Sequence, residues 1–489
     1  MITIGIDAGT SVVKSVAYTA DGTELAVVRR PTRVHHPEPT WAEQDMDEVW
    51  TAVADTVAEL AAGLDDPVRA IGITAQGDGC WLVDRAGRPT GPALLWNDAR
   101  AGDIAAHWAG AGLLDQVRAM NGSVGFGGLA HAQLTWLAEH EPARVAAADH
   151  LLSCGSWLFH RLTGTTGWDV SEACNPFLDS RTGQYSTEIL ELLGLDWARR
   201  LLPDVLDGPD RVAALHPATA DRVGLPAGTP VVLGSYDVVS TALGAGATEP
   251  GQACSILGTT LCTGTITDDP GAARTGMQLR TPMPGRWMLA NATLAGTEVV
   301  DWACRALGSP GPGQLTELAG RAEPGSGGLL VLPYLSPGGE RAPFYDPAAR
   351  GSVHGLRLDH GPAEIARACL EGLAAVIHDC LHSSDARPTE LRLTGGGSTS
   401  PLWRQIIADI TGLPVVRTTD EQAGARGAAL TALSVLDGHE LTAVAAEVVD
   451  TATPVEPDPA HHERYADLVA RFAAAREDAR AAGWYRQTG

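Results

Sequence analysis

Lysine is nearly absent from this sequence: Lys14 is the single one in 489 residues, and arginine supplies every other strongly basic side chain. Lysine and arginine together number 35 against 59 aspartates and glutamates, for a formal net charge of −24. No basic stripe is left to grip a phosphate backbone, which excludes a nucleic-acid partner from the expectation. Long apolar runs are missing as well, and the start Met1-Ile2-Thr3-Ile4-Gly5 shows neither the basic segment nor the apolar stretch of a leader. A cytoplasmic protein without a membrane partner is therefore expected. The eight cysteines (Cys80, Cys154, Cys174, Cys254, Cys262, Cys304, Cys369, Cys380) form no CxxC pair and no regular framework, and read as reduced, mostly buried thiols. Also lacking are a GxxxxGK[ST] loop, an HExxH helix, a nucleophile elbow and a Ser-His-Asp set. His35-His36, His461-His462, His160 and His382 have no spaced carboxylate or thiolate partners for a metal.

What is present is an ordinary folding composition, 44% hydrophobic and 19% charged. A chain of this length exceeds the size at which one core keeps growing, so two lobes with a cleft between them are expected, and clefts are where small ligands bind. The first half opens with three antiparallel strands, at 2–6, at 12–19 and, after the turn Asp21-Gly22, through Val27-Val28. A helix follows at 45–64, with Asp45 as N-cap and Glu48 completing a capping box. Next come a strand at 69–74, a turn at 84–87 and helices through much of 101–202, broken by a loop at 121–128. A glycine- and proline-rich stretch at 224–230 leads into a strand at 231–234. The boundary falls near 248–251, dividing the chain into 1–247 and 248–489. The second half then opens as the first does: a strand at 253–257, the loop Gly258-Thr259-Thr260, and a strand at 261–266. This recurrence suggests two related lobes facing each other. The stretch 460–484 reads as one exposed amphipathic helix.

The loop Asp7-Ala8-Gly9-Thr10-Ser11 joins two strands, unlike a P-loop. Gly9 lets the backbone approach a ligand, Thr10 and Ser11 offer donors to phosphate oxygens, and Asp7 could hold Mg²⁺ through water. A plain hairpin turn is the bland alternative; Lys14, a compact ammonium just beyond the loop, favours the phosphate reading. Gly395-Gly396-Gly397, ahead of a helix with Ser400 as N-cap and Pro401 at its first position, is a second anion site or else a tight strand-to-helix connection. The small residues of 421–429 permit close approach of a flat ring such as adenine, or of another helix. Asp237, at a strand end after Ser235-Tyr236, is the best-placed group to take a proton from an alcohol, or else an N-cap for the helix that follows. The clusters Gln76-Gly77-Asp78-Gly79 and Trp96-Asn97-Asp98-Ala99-Arg100 offer the mixed donors and acceptors a sugar requires, or are turn chemistry.

Taken together these segments resemble the FGGY carbohydrate kinases, over essentially the whole chain and in order. Asp7 to Ser11 with Lys14 is similar to the family's DxGTxxxK opening, Trp41-Ala42-Glu43-Gln44-Asp45 to its WxEQD, Trp96 to Arg100 to its WxDxR, and Gly258-Thr259-Thr260 to its second phosphate loop. Residues 395–409 resemble the signature GGxxxSxxWxQxxAD. The resemblance implies an α/β fold of two ribonuclease H-like domains closing over a cleft, with ATP and Mg²⁺ as cofactors and a small carbohydrate as acceptor. It implies Asp237 as catalytic base, Asp7 as the Mg²⁺-associated carboxylate, and Gly9, Thr10, Ser11, Lys14, Gly258, Thr259, Thr260, Gly395, Gly396, Gly397 and Ser400 around the nucleotide. Gln76, Asp78, Trp96, Asp98, Arg100 and Tyr236 fall on the acceptor side. Glycerol kinases carry an Arg-Glu pair, and xylulokinases Gln-Met-His, around the positions of Gln76-Gly77-Asp78; this string and Gly339-Glu340-Arg341-Ala342-Pro343-Phe344 look most like erythritol kinases and kinases of other polyols and ketoses. The expected activity is transfer of the γ-phosphate of Mg-ATP to a four- or five-carbon polyol or ketose. A xylulokinase-type ketopentose kinase and a non-catalytic, nucleotide-gated sugar-binding protein are the alternatives. A sugar-responsive repressor would need a helix-turn-helix ahead of Ile2. No motif specifies an assembly, and a homodimer stands as the expectation.

Overall fold

Two sheets of six strands organise the chain, in a computed structural model that describes residues 1–269, 271, 274–418 and 421–483. The first sheet uses β1 (Ile2–Ala8), β2 (Val12–Tyr18), β3 (Glu24–Pro31), β4 (Val68–Ala75), β5 (Val212–Ala214) and β6 (Pro230–Leu233), in the order β5-β6-β4-β1-β2-β3. The second uses β7 (Gln252–Leu257), β8 (Leu261–Thr267), β9 (Met277–Arg280), β10 (Trp287–Ala292), β11 (Glu390–Thr394) and β12 (Val415–Arg417), in the order β9-β10-β8-β7-β11-β12. Each sheet begins with antiparallel pairs and then adds parallel strands: β4 runs parallel to β1 and β6 to β4, as β11 does to β7 and β12 to β11. The recurrence of strand, glycine-threonine loop and strand in the sequence is thus a repeat of topology. This is the expected α/β architecture of two mixed sheets.

Parallel strands that lie side by side end at the same edge, so the residues following β1, β4 and β6 meet there, as do those following β7 and β11. That edge carries the candidate chemistry. The strands are buried on both faces, with Ile4, Ile6, Ile71, Ile73, Val231 and Leu391 fully enclosed, the apolar run that a covered parallel sheet demands.

Six helices matter for the site: α1 (Met46–Ala62), α2 (Asp237–Gly244), α3 (Pro362–Leu381), α4 (Pro401–Thr411), α5 (Ala423–Asp437) and α6 (Pro459–Ala481). Asp45 caps α1 by accepting the Glu48 amide at 3.1 Å, as the sequence predicts. Tyr236, not Asp237, occupies the N-cap of α2, and Asp237 is its first helical residue. The small residues of α5 serve close packing against protein. A Cβ on Gly5 would stand 2.0 Å from the Ala425 carbonyl oxygen and one on Gly72 2.2 Å from that of Ala428, so α5, from the second half of the chain, lies directly on β1 and β4 of the first. It also crosses α2 backbone to backbone, with a Cβ on Gly427 at 1.8 Å from Ser240 O. Of the helix expected at 460–484, Trp484 lies outside the described residues; Tyr465 and Phe472 are fully buried, so one face of α6 is core.

Candidate active site

Asp7 and Lys14 face each other in the β1–β2 ladder, and Lys14 Nζ stands 3.7 Å from Asp7 Oδ2. Burial raises the pKa of Asp7, and the Lys14 charge and hydrogen bond oppose that shift. The loop between them closes through Gly9 N–H donating to Val12 O at 3.2 Å. Thr10 is its most connected residue: its hydroxyl donates to Gln76 Oε1 at 2.7 Å and accepts from Trp96 Nε1 at 3.1 Å, while its carbonyl accepts from Gln44 Nε2 at 2.7 Å. Gln76 in turn donates to Gln44 Oε1 at 2.6 Å. Ser11 sits exposed at the loop tip.

The second glycine-threonine loop is braced from behind, the Thr297 amide donating to Gly258 O at 2.9 Å. Gly395 adopts φ +80, and a Cβ there would lie 2.7 Å from Leu257 O, so the triple-glycine turn abuts the strand that enters Gly258, with Thr259 exposed and Thr260 half-buried. Gly396 is open, with nothing within 4 Å of an added Cβ, whereas Gly397 rests on Trp403. Ser400 caps α4 by accepting the Trp403 amide at 3.2 Å. A cavity of about 250 Å³ is lined by Lys14 and Arg29 from the first half and by Thr394, Gly395, Gly396, Ser398 and Arg417 from the second, and its lining includes no residue of the 9–11 or 258–260 loops. Asp7 and Asp237 lie outside its lining, and Asp7 reaches it through Lys14.

Asp237 begins α2 beyond the end of β6. Its pKa is pushed up to about 8, chiefly by burial and then by the nearby charge of Asp7, against the Val238 amide and the charge of Arg341. A Cβ on Gly424 of α5 would fall 2.8 Å from Asp7 Oδ2 and 3.4 Å from Thr241 Oγ1, so the Asp7 carboxylate sits at the crossing of α2 and α5, one turn of α2 from Asp237. Asp78 holds φ 55, a left-handed conformation that costs a non-glycine residue roughly 1–3 kcal/mol. Its carboxylate accepts from Tyr236 Oη at 3.0 Å and Asn175 Nδ2 at 3.3 Å. Burial pushes the Asp78 pKa up to about 6, opposed first by the Arg341 charge. Gly77 makes room for this pairing, since a Cβ there would meet the Tyr236 ring at 2.0 Å. Glu172 is buried beside them, its pKa raised well above the carboxylate range by burial and by the charges of Asp78, Asp169 and Asp237.

The Trp96-to-Arg100 cluster divides. Trp96 bonds Thr10 of the 7–11 loop, but Asp98 and Arg100 turn inward: Asp98 accepts from the Ala42 amide at 2.7 Å, and Arg100 Nη2 pairs with Asp98 at 2.8 Å and Glu43 at 2.6 Å. The Arg100 guanidinium lies 4.0 Å over the Trp41 ring with its side chain fully buried. These two residues anchor the loop that carries Trp96.

Sequence reasoning singled out no role for Gln44, Glu172, Asn175 or Arg341. Gln44 and Arg341 lie inside strings that carried the family resemblance, whereas Glu172 and Asn175 have no local signature and meet the site only through the fold.

Two sheets that each carry a glycine-threonine loop at the edge, with a lysine and half-buried and buried carboxylates beside the first loop, suit a two-lobed phosphotransferase. The FGGY family of carbohydrate kinases matches over residues 2–244 with its N-terminal domain and over 253–435 with its C-terminal domain. An erythritol kinase of Brucella abortus (strain 2308) is 34% identical, covering 97% of this chain and 96% of the relative. A xylulose kinase of Escherichia coli (strain K12) is 33% identical, over 87% of this chain and 88% of the relative. The crystal structure of a xylulose kinase from Lactobacillus acidophilus superposes with a TM-score of 0.92 at 24% identity, covering 98% of both chains, a likeness of fold. The chain belongs to the FGGY carbohydrate kinases, phosphotransferases that act on alcohol groups of small sugars or polyols. Among the described residues no helix is long and apolar enough to cross a membrane.

Proposed function

We propose that this kinase transfers the γ-phosphate of Mg-ATP to a hydroxyl of a four- or five-carbon polyol or ketose, erythritol-like tetritols first, with Asp237 as general base. The observation that carries the reading is Asp237 beside Asp7, close enough for their charges to interact, at the edge of the first sheet that also carries its glycine-threonine loop, with the second such loop at the corresponding edge of the second sheet. The erythritol and xylulose kinase relatives support a neutral acceptor of that size.

The residues present fit the nucleotide. Gly396 leaves open space, Lys14 offers a compact cation, and the cavity between the halves is lined by the glycine turn. Ser11, Gly258, Thr259 and Thr260, with the Thr10 amide, would present donors to the phosphates, while the Gly9 amide and the Thr10 hydroxyl hold the shape of their loop through Val12 O and Gln76; Gly395 and Gly397 shape the glycine turn and Ser400 sets the start of α4. Among the described residues no cluster of three or more His, Cys, Asp or Glu stands ready for a metal, which suits an ion that keeps its waters and takes one carboxylate, Asp7, besides phosphate oxygens. Mg²⁺ would supply neutralisation of phosphate charge. Asp237 in its ionised form takes the acceptor's hydroxyl proton onto a carboxylate oxygen; the pKa raised to about 8 makes that oxygen more basic and has transfer rise as pH climbs toward that value. Gln76, Asp78, Tyr236 and Trp96 shape the acceptor side, with Asp98 and Arg100 positioning Trp96.

We place the division at 1–247 and 248–489, acceptor mainly on the first and nucleotide mainly on the second. Eight free, buried cysteines support a reducing, cytoplasmic setting. Acceptor-dependent ADP release, measured against tetritols, pentitols, ketopentoses and sugar acids, tests the reading. Release with at least one neutral acceptor is expected, and none from well-folded protein would overturn it.

A further inference from the structure

Arg341 belongs to the second half of the chain, yet its guanidinium lies against the first. Its stem is fixed by its own side: Nε donates to Ala292 O at the end of β10 at 2.7 Å, and its amide donates to Glu340 Oε1 at 2.9 Å. Glu340 is itself held by the Leu294 and Ala295 amides at 2.6 and 3.1 Å. The head spans the cleft, 4.6 Å from the Trp96 ring centroid and 5.4 Å from that of Phe126, inside the range of cation–π attraction. Trp96 hands the contact on, through Nε1, to the Thr10 hydroxyl of the phosphate loop. Asp78 and Asp237 both feel the Arg341 charge. Nε is the one side-chain nitrogen of Arg341 with a hydrogen bond among the described residues, which leaves both terminal nitrogens, four N–H groups in a planar fork, to donate elsewhere.

We propose that Arg341 is the closing member of the acceptor site: it seats on Trp96 and Phe126 when the halves meet and donates hydrogen bonds from its terminal nitrogens to acceptor hydroxyl oxygens. The inference rests on the kinase reading and adds to it a residue from the nucleotide-side half that touches the acceptor. It follows that an acceptor is held by both halves at once. Binding energy from the polyol is then spent on closure, which keeps water from the phosphate and makes ATP hydrolysis without acceptor slow.

The test compares wild type with Arg341→Gln and Arg341→Lys, using erythritol and D-xylulose as probes. Loss of one or two charge-assisted hydrogen bonds corresponds to a change on the order of 10- to 100-fold, expected in acceptor KM for Arg341→Gln with the KM for ATP within about twofold. The ratio of acceptor-independent ATP hydrolysis to transfer should rise by about tenfold, the scale of one such bond, and Arg341→Lys should recover part of both. Unchanged acceptor KM and hydrolysis ratio would overturn the proposal, as would parallel rises in both KM values. Calorimetric titration of erythritol and D-xylulose into nucleotide-free protein separates the two claims. If wild type transfers no phosphate but Arg341→Gln still weakens polyol binding, the kinase reading falls and the Arg341 contact stands; if transfer occurs and the variant binds polyol as wild type does, the contact falls and the kinase stands; polyol binding to neither protein, without transfer, overturns both.

Discussion

At the residue scale the weight falls on Asp237. Replacing it with Asn keeps the shape of the first turn of α2 and removes the proposed proton acceptor, so transfer should fall by ~100-fold or more while ATP binding persists. Steady-state rates with equilibrium nucleotide titration check this, and retained transfer would move the base elsewhere. The same side chain makes a stability prediction. Its pKa rises from 3.8 to about 8 in the fold, so between those values the folded protein holds a proton that the unfolded chain has released. Stabilisation from this group is complete below the lower value and is lost as pH climbs through the upper one. In nucleotide-free protein with EDTA, the melting temperature of Asp237→Asn should therefore gain on wild type as pH goes from 5 to 8. Parallel melting curves across that range would show that Asp237 is solvated. The motif residues around it were legible because glycine, threonine and aspartate at strand ends have few uses. The pairing of Gly77 with Tyr236 was not, since it joins positions remote in sequence through a ring filling the space of an absent side chain.

At the scale of elements, the strands and α4 could be read locally, from alternation, capping and the Ser400-Pro401 start. The α2–α5 crossing could not. Its small residues were compatible with a flat ligand or a helix, and only the approach of Gly427 to the Ser240 carbonyl decides for the helix. This yields a paired prediction. Gly427→Val places carbon where a backbone oxygen already stands, and overpacking of that kind costs about 3 kcal/mol or more because neither helix can yield by changing a rotamer. Gly396→Ala adds a methyl in open space, so its stability should match wild type while the KM for ATP rises. Urea unfolding with nucleotide kinetics on the same two proteins checks both arms. Equal stability for the two variants would mean that the crossing is looser than drawn.

At the scale of the whole molecule, the proposed acceptor side of the cleft is acidic. Asp7, Asp78 and Asp237 converge there, with Glu172 beside them kept from ionising by burial and by their charges, against Lys14 beside Asp7 and Arg341 reaching across. A sugar acid brings one more carboxylate into a partly dehydrated space where like charges a few ångströms apart repel by several kcal/mol, roughly, at a protein-like dielectric. Neutral polyols and ketoses should accordingly exceed sugar acids of equal length in kcat/KM by on the order of 100-fold at pH 8, a few kcal/mol of discrimination. The balance of charge depends on pH in a definite direction. The Asp78 pKa is pushed up to about 6, so as pH falls through that value Asp78 gains a proton and one source of repulsion disappears. The ratio of kcat/KM for erythritol over erythronate should shrink between pH 8 and pH 5.5. Taking the ratio cancels the loss of base common to both substrates. Asp78→Asn should flatten the dependence, because its side chain is neutral throughout. A ratio that grows as pH falls, or a wild-type preference for erythronate at pH 8, would mean that Arg341, and not the carboxylates, sets the field in the cleft.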